Sequence, residues 1–152
     1  MQGLPGSGKS TYIKENLKYC KVISRDIIRY EMGLTKSVDD KKVCPWQTEN
    51  LITVKENNKI YDAIKNCQDF VIDDINIRRK HFYQLVKSIR ALSKYLGCPI
   101  KITVVRLNTP FEICIERRKN QIDKNEMDRI NRLTKWFEED IITYRVDELI
   151  NI

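Results

Sequence analysis

Residues 3–10 of the chain read Gly-Leu-Pro-Gly-Ser-Gly-Lys-Ser and fill every fixed position of a phosphate-binding loop. Such a loop joins a buried strand to the first turn of a helix. Its backbone N–H groups and the helix N-terminus carry partial positive charge and converge on phosphate groups. The motif therefore predicts an α/β fold that binds a nucleoside triphosphate, ATP or another, through Gly3, Pro5, Gly6, Ser7, Gly8, Lys9, Ser10 and Thr11.

Two side chains of this loop have distinct expected roles. Lys9 neutralises the β- and γ-phosphate oxygens, and the Ser10 hydroxyl is a ligand of Mg²⁺. A glycine turn that merely precedes a helix is the alternative, but such a turn does not require Lys9, Ser10 and both flanking glycines together.

The apolar spacing after the loop alternates between short strand-like runs and longer helical stretches, which is typical of a parallel α/β domain. We predict a three-layer P-loop fold whose parallel sheet is flanked by helices. The predicted strands are residues 21–24, 69–74 and 100–107, and the predicted helices are 9–18, 26–31, 47–67, 80–96, one that begins at 110, and 127–141. Residues 33–46 are predicted to be a loop, and 117–125 a lid.

Only Met1 and Gln2 precede the loop, although the strand before it should be an interior strand. Loss of an interior strand would expose both of its neighbours, so we expect a first strand that is truncated in this sequence. Residues 1–152 are otherwise expected to form a single domain.

Composition excludes several classes of protein. Hydrophobic residues make up 41% of the chain and charged residues 32%, which is not the composition of a disordered chain, and no apolar run is long enough to span a membrane. No secretory signal is visible and the five cysteines are scattered, so we expect a cytoplasmic protein with reduced thiols. The net charge of +7 favours a polyanionic partner, although lysine-rich solvated helix faces would give the same value.

Asp26 and Arg29 follow the second predicted strand, at the end of the sheet where α/β proteins collect their ligands. Asp26 is placed to accept the proton of an attacking hydroxyl, and Arg29, one helical turn later, to hold an anionic group of the acceptor. The alternative is that Asp26 only caps its helix.

Asp73 and Asp74 end the next strand, and one of them is expected to reach Mg²⁺ directly or through water. Successive side chains of a strand alternate between faces, so both cannot point into the site. Arg117 and Arg118 precede the predicted lid, and we expect at least one of them to stabilise the transferring phosphoryl group. Trp46 either stacks on a base or belongs to the core.

Three blocks of the sequence resemble the kinase domain of phage-type polynucleotide 5′-hydroxyl kinases: residues 3–11, 24–29 and 72–76. The resemblance covers residues 1–140 and implies single-stranded or end-exposed nucleic acid as the partner, with a role in nucleic-acid repair. It implies Asp26 as general base, Arg29 on the acceptor's phosphate backbone, Asp74 with Asn76 on the acceptor or metal side, and Arg117 or Arg118 as the lid cation. In the lids of that family the two arginines are separated along the helix and loop, whereas Arg117 and Arg118 are adjacent here.

Two other functions use the same loop. A kinase of a small-molecule hydroxyl needs the same base, and a non-catalytic nucleotide-binding module needs only the loop itself. The sequence favours transfer of the ATP γ-phosphoryl group to the 5′-hydroxyl of RNA or DNA, without distinguishing the two acceptors.

Overall fold

The computed structural model describes residues 1–35, 45–139 and 146–152. The helices are α1 (Lys9–Asn16), α2 (Arg25–Glu31), α3 (Trp46–Lys65), α4 (Arg79–Leu96), α5 (Phe111–Glu116) and α6 (Lys124–Glu139), with a 3₁₀ turn at Lys119–Gln121. The strands are β1 (Lys21–Ile23), β2 (Phe70–Ile72), β3 (Thr103–Arg106) and β4 (Glu148–Asn151). The predicted α/β class with parallel strands and flanking helices is confirmed.

The strands form two parallel pairs. Strand β1 pairs with β2, with Val22 opposite Val71, and β3 pairs with β4, with Val104 opposite Leu149. Parallel neighbours require crossover connections, and helices supply them here. The carboxyl ends of β1 and β2 therefore lie side by side, which brings residues 24–26 close to residues 73–74.

Met1 and Gln2 lie between the two strand pairs. The Met1 amino nitrogen donates to Ile72 O at 3.1 Å, and Gln2 N donates to Val105 O at 2.7 Å. Leu107 N donates in turn to Gln2 O at 3.0 Å, and Gln2 forms a parallel bridge to Arg106. This two-residue segment occupies the position between β2 and β3, and the phosphate-binding loop leaves from its end.

Helices cover the strands with apolar side chains. Helices α3 and α4 contribute Ile60, Ile64 and Ile89 to a core around Ile23 of β1. A second cluster joins α5 and α6 beneath the loop, with Cys114 and Leu133 against Leu4. Burial of such side chains stabilises the fold by about 1.5–3 kcal/mol each. Leu4 thus anchors the phosphate-binding loop to the apolar cluster of α5 and α6.

Helix α4 shows how the sequence determines an element. Phe82, Val86, Ile89 and Ser93 are buried at helical spacing, so one face of the helix meets the strands while the other faces solvent. Gly97 then adopts φ 67°, a left-handed conformation that glycine tolerates, and ends the helix. Within the described residues, no helix is both long and apolar enough to cross a bilayer.

The predicted bounds needed some corrections. The strand expected over 100–107 is shorter, because Ile102 N donates to the Asp147 carboxylate and ladder pairing with β4 begins at Thr103. Strand β4 was not predicted. Most of the predicted loop, residues 36–44, and the end of the last predicted helix, 140–141, lie outside the described residues.

Candidate functional site

The backbone of the phosphate-binding loop depends on its glycines. Gly8 has φ 93° directly before α1, and Gly6 has φ 88°. A Cβ atom at Gly6 would lie 2.6 Å from the carbonyl oxygen of Cys114, so any side chain there would displace α5 or the loop. Thr109 fastens the other side of the loop, because its hydroxyl donates to Ser7 O at 2.8 Å. The loop is therefore held open in a conformation that only glycine permits at Gly6.

Lys9 and Ser10 face the mouth of the loop. Lys9 Nζ donates to Gly3 O and Leu4 O, each at 3.0 Å, so the ammonium group lies across the loop. Ser10 Oγ donates to Asp73 Oδ2 at 3.0 Å. A hydroxyl and a carboxylate on adjacent positions are hard oxygen donors of the kind that Mg²⁺ prefers.

Asp73 and Asp74 point in different directions, as expected for consecutive residues at a strand end. Asp73 reaches Ser10, whereas Asp74 lies beside the charges of α2 and α3. The pKa of Asp74 is raised to about 6, chiefly by burial and then by the negative charge of Glu56, while the positive charge of Arg25 opposes both effects. Asp74 is thus a candidate proton-exchanging group in the neutral range.

Asp26 and Arg29 form an ion pair at the carboxyl end of β1. Arg29 Nη1 donates to Asp26 Oδ1 at 2.6 Å, and the Asp26 side chain remains 49% exposed. A second acid completes the arrangement: the guanidinium of Arg29 reaches both carboxylate oxygens of Glu49 at 3.0 Å. Arg29 therefore joins an accessible carboxylate on α2 to a carboxylate in the first turn of α3.

Arg25 continues this network between α2 and α3. It donates to Glu49 Oε2 and Glu56 Oε2, each at 2.8 Å, and to Thr53 Oγ1 at 3.1 Å. Burial opposes ionisation of Glu49, but hydrogen bonds from Arg25 and Arg29 outweigh burial and lower the pKa of Glu49. We call Arg25, Arg29, Glu49 and Glu56 the α2–α3 ion cluster.

The two adjacent arginines after α5 have different environments. Arg117 is exposed, and its Nη1 donates to Gly6 O at 3.2 Å, which places a guanidinium over the loop. Arg118 is buried, and its Nη1 donates to Glu126 Oε1 of α6 at 2.8 Å. Both line an open cleft of about 680 Å³ together with residues 6–12, Glu15 and Thr109.

Two other predicted residues, Asn76 and Trp46, do not line the cleft of the phosphate-binding loop. Asn76 has φ 49° and its amide donates to Met1 O at 3.2 Å, so it fixes the segment before the loop. Trp46 is 69% exposed at the start of α3, three residues before Glu49, and does not belong to the core. In the part of the chain that the structure describes, no three His, Cys, Asp or Glu side chains cluster as a metal site.

Reasoning from the sequence missed Glu49, Glu56 and Thr109, and it left undecided which acid contacts Ser10. Glu49 and Glu56 lie on a helix more than twenty residues after Arg25, and no motif marks them. The contact of Asp73 with Ser10 could not be separated from one made by Asp74, since the two acids are adjacent. Thr109 follows β3 at the same edge of the sheet, and that position was the available signal.

No curated protein sequence matches the chain closely enough to be counted as a relative. The sequence profile described as an AAA domain matches residues 1–139, nearly the whole chain. That match agrees with a complete phosphate-binding loop held between parallel strand ends. The chain belongs to the AAA domain family of P-loop proteins, which is kinase- and NTPase-like and includes polynucleotide kinase-like members.

Proposed function

We propose that this protein transfers the γ-phosphoryl group of ATP to the 5′-hydroxyl of a polynucleotide. The observation that carries the proposal is the accessible Asp26 carboxylate, held by Arg29 at the same edge of the sheet as Ser10 and Asp73. A domain that only hydrolyses or binds a nucleotide needs Ser10 and Asp73 but not Asp26 and Arg29. A kinase also needs a base for the acceptor hydroxyl, and Asp26 supplies one.

The donor half of the site would be built by the loop. Lys9 Nζ would leave Gly3 O and Leu4 O for the β- and γ-phosphate oxygens, and the loop N–H groups would surround the β-phosphate. Ser10 and Asp73 would hold Mg²⁺, which, when bound, neutralises charge on the phosphate oxygens. We therefore propose Asp73, rather than Asp74, as the acid on the metal side.

The acceptor half would be built by α2. The acceptor hydroxyl donates its proton to Asp26 as its oxygen attacks the γ-phosphorus in line, and the bond from the γ-phosphorus to the bridging oxygen of ADP breaks. Arg29 orients the Asp26 carboxylate through the 2.6 Å hydrogen bond. An acceptor phosphate would have to share Arg29 with Asp26 and Glu49, so Arg29 acts first as a positioning residue. Asp74 and Asn76 are proposed to support the acceptor side.

Arg117 is our proposed lid cation. Its guanidinium donates to Gly6 O at the loop and its side chain is exposed, so it would turn toward a bound γ-phosphate. Arg118 is committed to Glu126 and would fix α5 to α6 instead. The lid of residues 117–125 would then pivot on Arg118 while Arg117 contacts the transferring group.

The test is transfer of label from γ-labelled ATP to RNA and DNA oligonucleotides with 5′-hydroxyl ends. The wild type should label them, and Asp26→Asn should lower kcat by about 10²–10⁴ with ATP affinity unchanged. Glu31→Gln is a matched control, because Glu31 ends the same helix and is paired with Lys59 rather than with the site. If the wild type labels no oligonucleotide, or if both variants behave alike, the proposal is wrong.

One observation favours a second candidate, a kinase of a small-molecule hydroxyl. Four carboxylates, those of Asp26, Glu49, Glu56 and Asp74, surround the two arginines of α2. This negative charge would repel a polyanion, whereas it would not repel a neutral sugar or nucleoside. Ionic strength separates the two candidates: oligonucleotide phosphorylation should weaken steeply with added salt, and turnover of a neutral acceptor should not.

A further inference from the structure

Two cysteines lie together at the edge of the sheet opposite the phosphate-binding loop. Cys67 lies two residues after α3, before β2, and Cys98 lies two residues after α4, before β3. Their Sγ atoms are 3.7 Å apart, with a separation of 31 residues in sequence. Both thiols are free, Cys67 is exposed, and Cys98 is partly buried. Two thiols this close, each just after a different helix, are placed to react with one another.

The backbone holds each cysteine in place. Cys67 has φ 49°, a left-handed conformation, and its N–H donates to Ile64 O at 3.0 Å. Cys98 follows Gly97, also left-handed, and its N–H donates to Ser93 O at 3.1 Å. These are the hydrogen bonds that close the C-terminal ends of two packed helices. Both cysteines are therefore held at defined backbone positions, with their sulfur atoms 3.7 Å apart.

We propose that Cys67 and Cys98 form a site of reversible oxidation, at which a low-molecular-weight disulfide such as oxidised glutathione converts the two thiols into an intramolecular disulfide. The proposal is independent of the kinase assignment. The expected reduced thiols are the starting state of this site, in which Cys67 is exposed and its sulfur lies 3.7 Å from that of Cys98.

The chemistry proceeds by two exchanges. Cys67 gives up its proton, and its sulfur attacks oxidised glutathione, which forms a mixed disulfide and releases one glutathione thiolate. Cys98 gives up its proton, and its sulfur attacks the Cys67 sulfur, which releases the second glutathione. Two protein thiols lose two electrons, one glutathione disulfide gains them, and both thiol protons end on glutathione. The hydrogen bond with Cys67 and partial burial raise the pKa of Cys98, so the exposed Cys67 reacts first.

Closure of this bond would constrain the unfolded chain. The closed loop contains β2 and α4 and spans about thirty residues, so oxidation should raise Tm on the order of 10 °C. Cys67 and Cys98 precede the amino ends of β2 and β3, whereas Ser10 and Asp73 lie at the carboxyl ends. The bond should therefore stabilise the protein without reaching the phosphate-binding loop.

The experiment uses the full chain treated with oxidised glutathione. Remaining thiols are alkylated, and peptides are mapped by mass spectrometry beside a thermal melt. We expect a Cys67–Cys98 cross-linked peptide and a rise in Tm that dithiothreitol reverses. Cys20→Ser should behave like the wild type, while Cys67→Ser and Cys98→Ser should show no rise.

Three results would overturn the proposal: glutathione that stays on Cys67, a cross-link from either residue to another cysteine, or an equal rise in Tm for Cys67→Ser. Peptide mapping of the wild type decides the question even if a serine variant folds poorly, because it needs no variant. Kinase activity is not a readout here, so failure of the proposed function leaves this test unaffected.

Discussion

Replacement of Asp74 by asparagine should make the protein more stable near neutral pH. The unfolded chain ionises this carboxyl near its ordinary pKa of 3.8, but the folded protein does so at about 6, chiefly because of burial. Between these values the folded state binds more protons than the unfolded state, so stability falls as pH rises. The loss of folding stability caused by ionised Asp74 is absent below about pH 4 and fully present above about pH 6.5.

The size of this effect follows from the shift. A shift from 3.8 to about 6 corresponds to about 3 kcal/mol. The side chain keeps some contact with solvent, so we expect Asp74→Asn to gain about 2 kcal/mol above pH 6.5, or about 4–8 °C in Tm. Asparagine keeps the shape of the side chain and an oxygen that can accept the Ile75 N–H bond.

Urea unfolding without ligand, from pH 4 to pH 8, measures the difference. The stabilities of wild type and Asp74→Asn should agree near pH 4 and separate as pH rises. Asp62→Asn is the matched control, because Asp62 is exposed on α3 and has no burial cost to lose. A difference that stays constant across this range, or a variant less stable than the wild type at pH 7, would refute the reasoning.

The remaining predictions concern the site itself. Arg117→Ala should lower kcat by about 10²–10³ at unchanged Tm, whereas Arg118→Ala should lower Tm, since it removes the buried guanidinium that joins α5 to Glu126 of α6; thermal melts beside labelling rates separate the two. Glu49→Gln should raise the acceptor KM and leave the ATP KM alone, while Asp62→Asn, at an exposed position of the same helix, should change neither. Gly6→Ala should abolish binding of a fluorescent ATP analogue, because its methyl group would meet Cys114 O at 2.6 Å. Each expectation fails if its paired variant gives the same result, or, for Gly6→Ala, if binding persists.

Local sequence determined much of the donor side of this site. The loop motif places Lys9 and Ser10 at a helix N-terminus whatever the rest of the chain does, and the structure has them there. Alternation along β2 required that Asp73 and Asp74 diverge, but it did not say which of them meets Ser10. That choice depends on the twist and pairing of β2, which only the folded sheet fixes.

The acceptor side was less predictable, because it depends on contacts between distant segments. Glu49 meets Arg25 and Arg29 only because α3 packs beside α2, and no local pattern records that packing. Arg117 and Arg118 likewise differ through their tertiary neighbours, one at the loop and one at α6. Strand β4 is four residues long and has partly buried side chains, so it lacked the apolar run that identifies a buried strand.

Met1 and Gln2 connect the two strand pairs at the centre of the sheet through backbone hydrogen bonds. Gln2 N and Leu107 N are the backbone donors that join this segment to β3, and Gly3 follows directly. A phosphate bound by the loop would therefore restrain this segment and its hydrogen bonds to β3, as well as α1. Nucleotide binding should therefore slow hydrogen exchange at the Leu107 amide, which lies beside the loop.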